Sequence, residues 1–545
     1  MKLHHSLPAF LTLLTPLTTA KCTLSPHAQD LFNYSMSIND PRFDTSYKFI
    51  SYPDKGPWST RFTCWYVAGL LQRNDVEDLE NAKGALEGIL GTQYTNEEDY
   101  GEVWYGTWKL SPDQPTPTPD SELYPPSIYN TYDPNWREFI GTQLVQIVEE
   151  FSDLIGENLV SRIVKAMEIQ AIGAMRRNGT EGDNLVTAYT NPALMRALTV
   201  GWVGVRTQNQ TYTDFANNEG EMITQLFRES GNAFSEYNAL TYYGEDIWAL
   251  AASIKYGPAN QTLTKNAPFM LGALWDDIAE HYNAYLGNFV GPYDRANSRD
   301  LTQHSAILPL WFWGLFGYEN APEPNKMELD LLFDATQGAS FALVMETIKS
   351  HINPQTLAKI LTPPTSTEER FLTKTLRESL YNDTTRTTTS YLSRNLMIGG
   401  QQFAEEVVRG KQFVPVIVHW AADPNHMPFP YIGFFSLYPT ATTIDAVASK
   451  NGLSIRYPNT TQPGTDRFEF MLSGIPPGWN LEGNVVDGFE RLPCLDVNVT
   501  ARGLRRLPTR YGEAIYNQLY YNVTYVAEGN FTGVPEIELG FMYTC

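Results

Sequence analysis

Positive charge is scarce in this sequence: 39 lysines and arginines stand against 61 aspartates and glutamates, a formal net charge of −22. With no basic stripe to displace counterions from a phosphate backbone, nucleic acid is excluded as a partner. No stretch approaches the twenty or so apolar residues of a membrane-spanning helix, and no tail suits a lipid anchor, so no membrane anchor is expected. Cysteine is limited to Cys22, Cys64, Cys494 and Cys545. They form neither a CxxC pair nor a Cys/His spacing suited to zinc, and no metal or cofactor is expected. Beyond residue 20 histidine is limited to His27, His281, His304, His351, His419 and His426. Short repeats are absent, and low complexity is confined to the Pro/Thr tract 115–119.

What is present points outward from the cell. Residues 1–20 combine Lys2, an apolar and threonine-rich middle and a small-residue end at Thr18-Thr19-Ala20, the pattern of a signal peptide. An even cysteine count, two near each end, suits local bridges in an oxidising compartment. Of the three possible connectivities, proximity favours Cys22–Cys64 and Cys494–Cys545. Sequons occur at Asn33, Asn178, Asn209, Asn260, Asn382, Asn459, Asn498, Asn522 and Asn530, which reads as an N-glycosylated surface. A secreted, extracellular glycoprotein is expected. Its 12 Trp, 31 Tyr and 27 Phe build a large core and leave rings to stack on sugars, although most of them are core residues.

Periodicity divides the chain. Up to about residue 365, apolar residues recur at helical spacing. The expected helices are 61–71, 136–155, 159–175, 192–205, 215–228, 241–256, 269–286, 301–316 and 326–352. They pair as hairpins whose wide spacing suits a ring. The Pro- and Tyr-rich stretch 100–133 is too long to be a mere connector. After about residue 385, short β-branched and aromatic runs alternate with turn signals. Expected strands are 387–398, 413–420, 433–437, 453–456, 468–472, 495–499, 520–526 and 537–543. The fold class is therefore an α+β multidomain chain: an N-terminal (α/α) toroid of helical hairpins over 21–365, followed by an antiparallel β-sandwich over 385–545.

Candidate chemistry concentrates in two loops of the helical part. The first, 231–246, contains Glu236, Asn238, Tyr242, Tyr243, Glu245 and Asp246 just ahead of or within the start of a helix. Capping by Thr241 with an acid in the first turn explains only part of it. The second, 281–295, runs from His281 to Gly291-Pro292-Tyr293-Asp294-Arg295, with His304 beyond it. Two reaction classes fit. A β-eliminating lyase on a uronate-containing glycan needs Asn or Arg to neutralise the carboxylate, and His or Tyr to move protons; Asn238, His281, Tyr293 and Arg295 supply these. A glycoside hydrolase needs two carboxyl groups, for which Glu236 and Asp294 serve with Asp246 as a spare. Tyr242, Tyr243 and His304 are substrate-binding candidates on a poly- or oligosaccharide.

The order Asn238, His281, Tyr293, Arg295 on consecutive hairpin loops, in a helical ring followed by a β-sandwich, resembles the secreted (α/α)-toroid polysaccharide lyases of the chondroitin, heparinase and alginate-lyase type. The strand 391–400 with Trp420 downstream looks like the start of their central sheet domain. The resemblance implies a polysaccharide lyase in which those four residues carry the reaction. Glu236 in Ser-Glu-Tyr-Asn lies outside that pattern and keeps the hydrolase reading open. A dehydratase or cyclase of small-molecule metabolism, or a non-catalytic glycan-binding protein, remain as further alternatives.

Overall fold

The structure is a computed structural model that describes residues 22–52, 56–296, 298–322, 334–403, 412–441, 443–459, 466–481, 485–512, 520–529 and 531–545. The signal-peptide reading of 1–20, the sequon at Asn530 and the first part of the expected helix 326–352 lie outside the described residues.

Ten helices make up most of the ring: α1 (Pro26–Asn39), α2 (Thr60–Arg73), α3 (Val76–Gly91), α4 (Trp136–Ile155), α5 (Glu157–Met175), α6 (Thr190–Arg206), α7 (Gln210–Glu229), α8 (Leu240–Tyr256), α9 (Thr262–His281) and α10 (Leu308–Phe316). Successive helices pair as antiparallel hairpins, α2 with α3, α4 with α5, α6 with α7 and α8 with α9. The first member of each hairpin also packs on the first member of the next, in the order α2, α4, α6, α8, α10. A short helix, Gly338–Ala342, packs on both α1 and α2 and completes the circuit.

Sequence decides which helix goes inside. α6 is buried on every face except at Val205 and Arg206, and α10 is buried throughout. In contrast α3 buries only Asp78, Asn81, Ala82, Ala85, Leu86 and Ile89, a stripe at i, i+3 and i+4 spacing. Inner helices are buried on most of their faces and outer ones on a single stripe, as two concentric layers require. The long stretch 100–133 folds onto the ring because Arg137, buried on α4, donates from Nε to the Tyr105 carbonyl at 3.0 Å. Short strands punctuate the helical part without entering its layers: β1 (Phe43–Asp44), β2 (Phe49–Ser51) and β3 (Trp58–Ser59), then β4 (Tyr282–Asn283) and β5 (Asn288–Phe289).

The remaining strands are β6 (Glu369–Arg377), β7 (Thr385–Ser393), β8 (Leu396–Phe403), β9 (Val416–Asp423), β10 (Tyr431–Pro439), β11 (Ile444–Ser449), β12 (Gly452–Arg456), β13 (Arg467–Ser473), β14 (Leu495–Arg502), β15 (Leu504–Arg506), β16 (Arg510–Tyr511), β17 (Tyr521–Ala527) and β18 (Glu536–Tyr543). They hydrogen-bond as one antiparallel sheet in the order β14-β18-β12-β11-β8-β9-β10-β13-β17-β15, with β7 on β8, β6 on β7 and β16 on β17. The sheet folds over on itself: Phe435 of β10 meets Phe541 of β18 at 6.0 Å although several strands separate them. That closes a sandwich core holding Trp420, Phe470 and Leu539.

Along β9 alternate side chains go to opposite faces. Val416, Val418 and Trp420 enter the sandwich core, whereas Ile417 joins the core of the ring. The two layers thus share apolar contacts at their interface.

Candidate active site

Two loops meet on the rim of the ring. The loop before α8 and the loop after β5 exchange backbone bonds: Asp294 N–H donates to the Tyr237 carbonyl at 3.0 Å, and the Tyr237 N–H donates to Asp294 Oδ2 at 2.9 Å. Asn238 holds them together further along, since its Nδ2 donates to the carbonyls of Val290 at 2.8 Å and Pro292 at 2.9 Å. It adopts a left-handed backbone conformation at φ 50°, which asparagine tolerates better than most residues.

Beside this junction lies a cleft of about 610 Å³, lined by Tyr129, Asn184, Val186, Ala188, Tyr189, Glu236, Asp294, Arg295, Glu378 and Gln412. Arg295 is its centre. Its guanidinium donates to Glu236 Oε1 at 3.0 Å, to the Tyr242 hydroxyl at 2.6 Å and to Gln412 Oε1 at 3.2 Å. It also lies over the Tyr242 ring, 3.7 Å from the centroid. With 25 % of its side chain exposed, it presents a fixed positive charge to the cleft. The opposite wall is held by Arg177, buried against Glu138 at 2.7 Å, which also donates to Asn184 Oδ1 at 2.8 Å. Asn184 in turn donates to the Tyr129 hydroxyl.

Burial raises the Glu236 carboxyl above the usual carboxylate range, and Arg295 opposes the shift. Burial likewise pushes the Tyr242 hydroxyl up, against the pull of Arg295, and it is the first cause of the rise at Tyr189. Among the described residues no three His, Cys, Asp or Glu side chains gather to hold a metal.

Of the residues singled out in the sequence, Glu236 and Arg295 line this cleft, and Tyr242 joins them through its hydrogen bond from Arg295. Asp294 borders it, but Arg386 of β7 binds both of its carboxylate oxygens, so its charge is spent inside the protein. The others are brought close and buried behind the wall. Asn238 is 1 % exposed with its amide on two carbonyls.

His281 is enclosed, its Nε2 2.7 Å from the Tyr237 hydroxyl and its Nδ1 2.7 Å from the Asp277 carbonyl. Tyr293 is fully buried and donates its hydroxyl to the Phe289 carbonyl at 2.6 Å. A proton-moving tyrosine would need its hydroxyl in the cleft, whereas the strand-like bridge from Tyr293 to Val414 holds this residue against the sheet. Tyr243 accepts from the Asn238 N–H at 2.8 Å, and His304 packs on Tyr293 with ring centroids 4.4 Å apart, at the ring–sheet interface. Thr241 is not a cap: α8 begins at Leu240 after Ala239, and the Thr241 hydroxyl donates to the His304 carbonyl at 3.4 Å. Tyr129, Tyr189, Asn184 and Thr190 were not anticipated. Their one sequence signal is the length and tyrosine content of 100–133 and the polar run ahead of α6.

The cysteines divide. Cys494 and Cys545 are bonded as expected. Cys22 and Cys64 are free thiols. The Cys22 carbonyl accepts from Gln72, eight residues along α2 from Cys64, about 12 Å of helix, beyond disulfide reach. The described sequon asparagines are exposed at Asn33, Asn178, Asn260, Asn382, Asn459 and Asn498 and half-buried at Asn209 and Asn522. No described helix is long and apolar enough to cross a membrane.

A ring of helical hairpins joined to an antiparallel sandwich, with a cleft on its rim, places the molecule among α/α-toroid proteins with a β domain. The chain belongs to the family described as Domain of unknown function (DUF8769), whose model matches residues 29–346. Residues 368–542 match a second such model, Domain of unknown function (DUF8770). No curated protein matches the sequence.

Among solved structures, the chain is similar to heparinase III, at 10% identity and a TM-score of 0.45, covering 97% of this chain and 86% of that one. Heparan sulfate lyase HepC from Pedobacter heparinus matches at 10% identity and TM-score 0.32, covering 96% and 84%. A GH127 β-arabinofuranosidase matches at 10% identity and TM-score 0.32, covering 97% of both chains.

Proposed function

We propose that the protein is a secreted carbohydrate-active enzyme, and that its cleft cleaves a uronate-containing glycan by β-elimination. The observation that carries this reading is the Arg295 guanidinium, held in place by Glu236 and Tyr242 and open to the cleft. Three of its five N–H groups are engaged by described residues, and the other two suit a sugar carboxylate. A cation on that carboxylate acidifies the C5 hydrogen and stabilises the enolate that forms when it leaves.

Glu236 in its ionised form takes the C5 proton. The C5–H electron pair becomes the C4–C5 double bond, and the O4–C4 bond breaks. Tyr242, kept protonated by its burial, gives its proton to the departing oxygen. Tyr189 and Tyr129 supply aromatic walls for the pyranose rings. The hydrolase pairing of Glu236 with Asp294 has less support, because both Asp294 oxygens are bound by Arg386. The disulfide Cys494–Cys545 and the exposed sequons support passage through a secretory route.

The test is incubation of the protein with a panel of uronate-containing polysaccharides while ultraviolet absorbance is followed. An unsaturated product is expected, and Glu236→Gln and Tyr242→Phe each lower turnover by about 100-fold or more with the fold intact. Chain shortening with no gain in absorbance identifies a hydrolase and overturns the lyase reading.

A further inference from the structure

Behind the cleft wall, Thr190 at the start of α6 stands between two carboxyl groups. Its hydroxyl lies 3.1 Å from Asp246 Oδ2 and 3.5 Å from Glu236 Oε2, and its backbone N–H donates to the same Glu236 oxygen at 3.3 Å. Asp246 is fully buried, and its Oδ1 has no hydrogen-bond partner among the described residues.

The charges around the pair are unequal. Glu236 faces the Arg295 guanidinium and, on its other side, Asp294, whose charge Arg386 answers. Among the described residues, the carboxyl groups that face Asp246 are Glu236 and its neighbour Glu245. Glu245 accepts from Gln337 at 3.0 Å and faces Arg61 and Asp334. Tyr189, Tyr242 and Tyr129 surround the cleft side.

A hydroxyl has one proton to donate, so Thr190 satisfies two flanking carboxyl groups only if one of them donates to it in return. The cation at Glu236 favours the ion there and the proton on the other. We propose that Asp246 is a neutral carboxylic acid acting as a positioning residue: it donates to the Thr190 hydroxyl, which donates to Glu236 and holds it ionised against Arg295. The chain of donors runs one way, from Asp246 through Thr190 to Glu236, and adds no negative charge to the cleft. Burial, reinforced by the charge of Glu236, favours the protonated form of Asp246 in the same sense. The inference rests on the reading of Glu236 as the cleft's base.

Two measurements test it. Infrared spectra at neutral pH are expected to show protonated-carboxyl stretches from Glu245 and Asp246, and Asp246→Asn removes one of these components; a carboxyl band of unchanged intensity in that variant overturns the proposal. In pH–rate profiles, Asp246→Asn, whose amide donates as the acid does, is expected to keep the acidic limb of the wild type. Thr190→Val is expected to move that limb up by about one pH unit as Glu236 loses a donor, and Thr190→Ser to restore it. An acidic limb that falls by a similar amount in Asp246→Asn means that a negative charge was removed, and overturns the proposal. The infrared measurement needs no substrate. A protein that cleaves no uronate polymer thus sinks the catalytic reading while the band still decides whether Asp246 is protonated.

Discussion

At the scale of single residues, side chains of similar chemistry have been given opposite duties by their surroundings. Tyr242 and Tyr293 are both near the cleft, but only Tyr242 bonds to Arg295, whereas Tyr293 spends its hydroxyl on the Phe289 carbonyl. Tyr293→Phe is expected to cost about 1 kcal/mol of stability, the net worth of one buried hydrogen bond, and to leave turnover within twofold of the wild type. Chemical denaturation beside a rate assay checks this. Asp294→Asn is expected to cost more, about 3 kcal/mol, because it takes a buried carboxylate from Arg386 and leaves that guanidinium to Glu378; an unfolding midpoint unchanged from wild type would show that the pair contributes nothing.

Between elements, packing distances set which substitutions the loops tolerate. A Cβ on Gly399 in β8 would lie 2.2 Å from the carbonyl carbon of Gly291, so β8 reaches the cleft loop only as glycine. Gly399→Ala is expected to displace the loop carrying Asp294 and Arg295, reducing both the melting temperature and turnover. A variant with wild-type values in both assays would contradict that contact. The bond Cys494–Cys545 closes a loop with a sequence separation of 51 and ties the start of β14 to the end of β18. Reducing it is expected to destabilise the sandwich by about 4 kcal/mol on the chain-entropy scale, read as a lower denaturant midpoint under reducing conditions.

For the whole molecule, the buried titratable groups shape stability against pH from both sides. His304, at the ring–sheet interface, is lowered from 6.5 to about 3, first by burial and then by the neighbouring His419. The unfolded chain therefore takes up that proton first, and the stability His304 contributes is present above pH 6.5 and lost as pH falls toward 3. Glu245 acts in the opposite sense: burial raises it from 4.5 to about 8, so its contribution is full below pH 4.5 and lost as pH rises through 8. Melting temperatures across pH are expected to fall more gently on the acid side in His304→Phe and on the alkaline side in Glu245→Gln. Curves parallel to the wild type would remove these groups from the account.

By itself the sequence determined the two-layer architecture. Apolar residues recurring at helical spacing over a long run mark a helix that packs into the ring, which is why α4 was legible as residues 136–155 and the toroid followed. It missed α3, whose apolar residues are few and interleaved with Glu and Asp, and β6, whose inward face carries Arg370 and Lys374 while Phe371 lies on its exposed face. Consequently the sheet begins at Glu369 rather than near 385.

The sequence also marked both cleft loops, because Glu, Asn, Tyr and Arg crowd there without a capping reason. Only the tertiary structure decided which of those side chains meets solvent. Loop direction, the Arg386–Asp294 pair and the grip of Asn238 on two carbonyls depend on residues tens to more than a hundred positions apart. No local pattern encodes whether a polar group spends its hydrogen bonds within the protein or keeps them for a ligand.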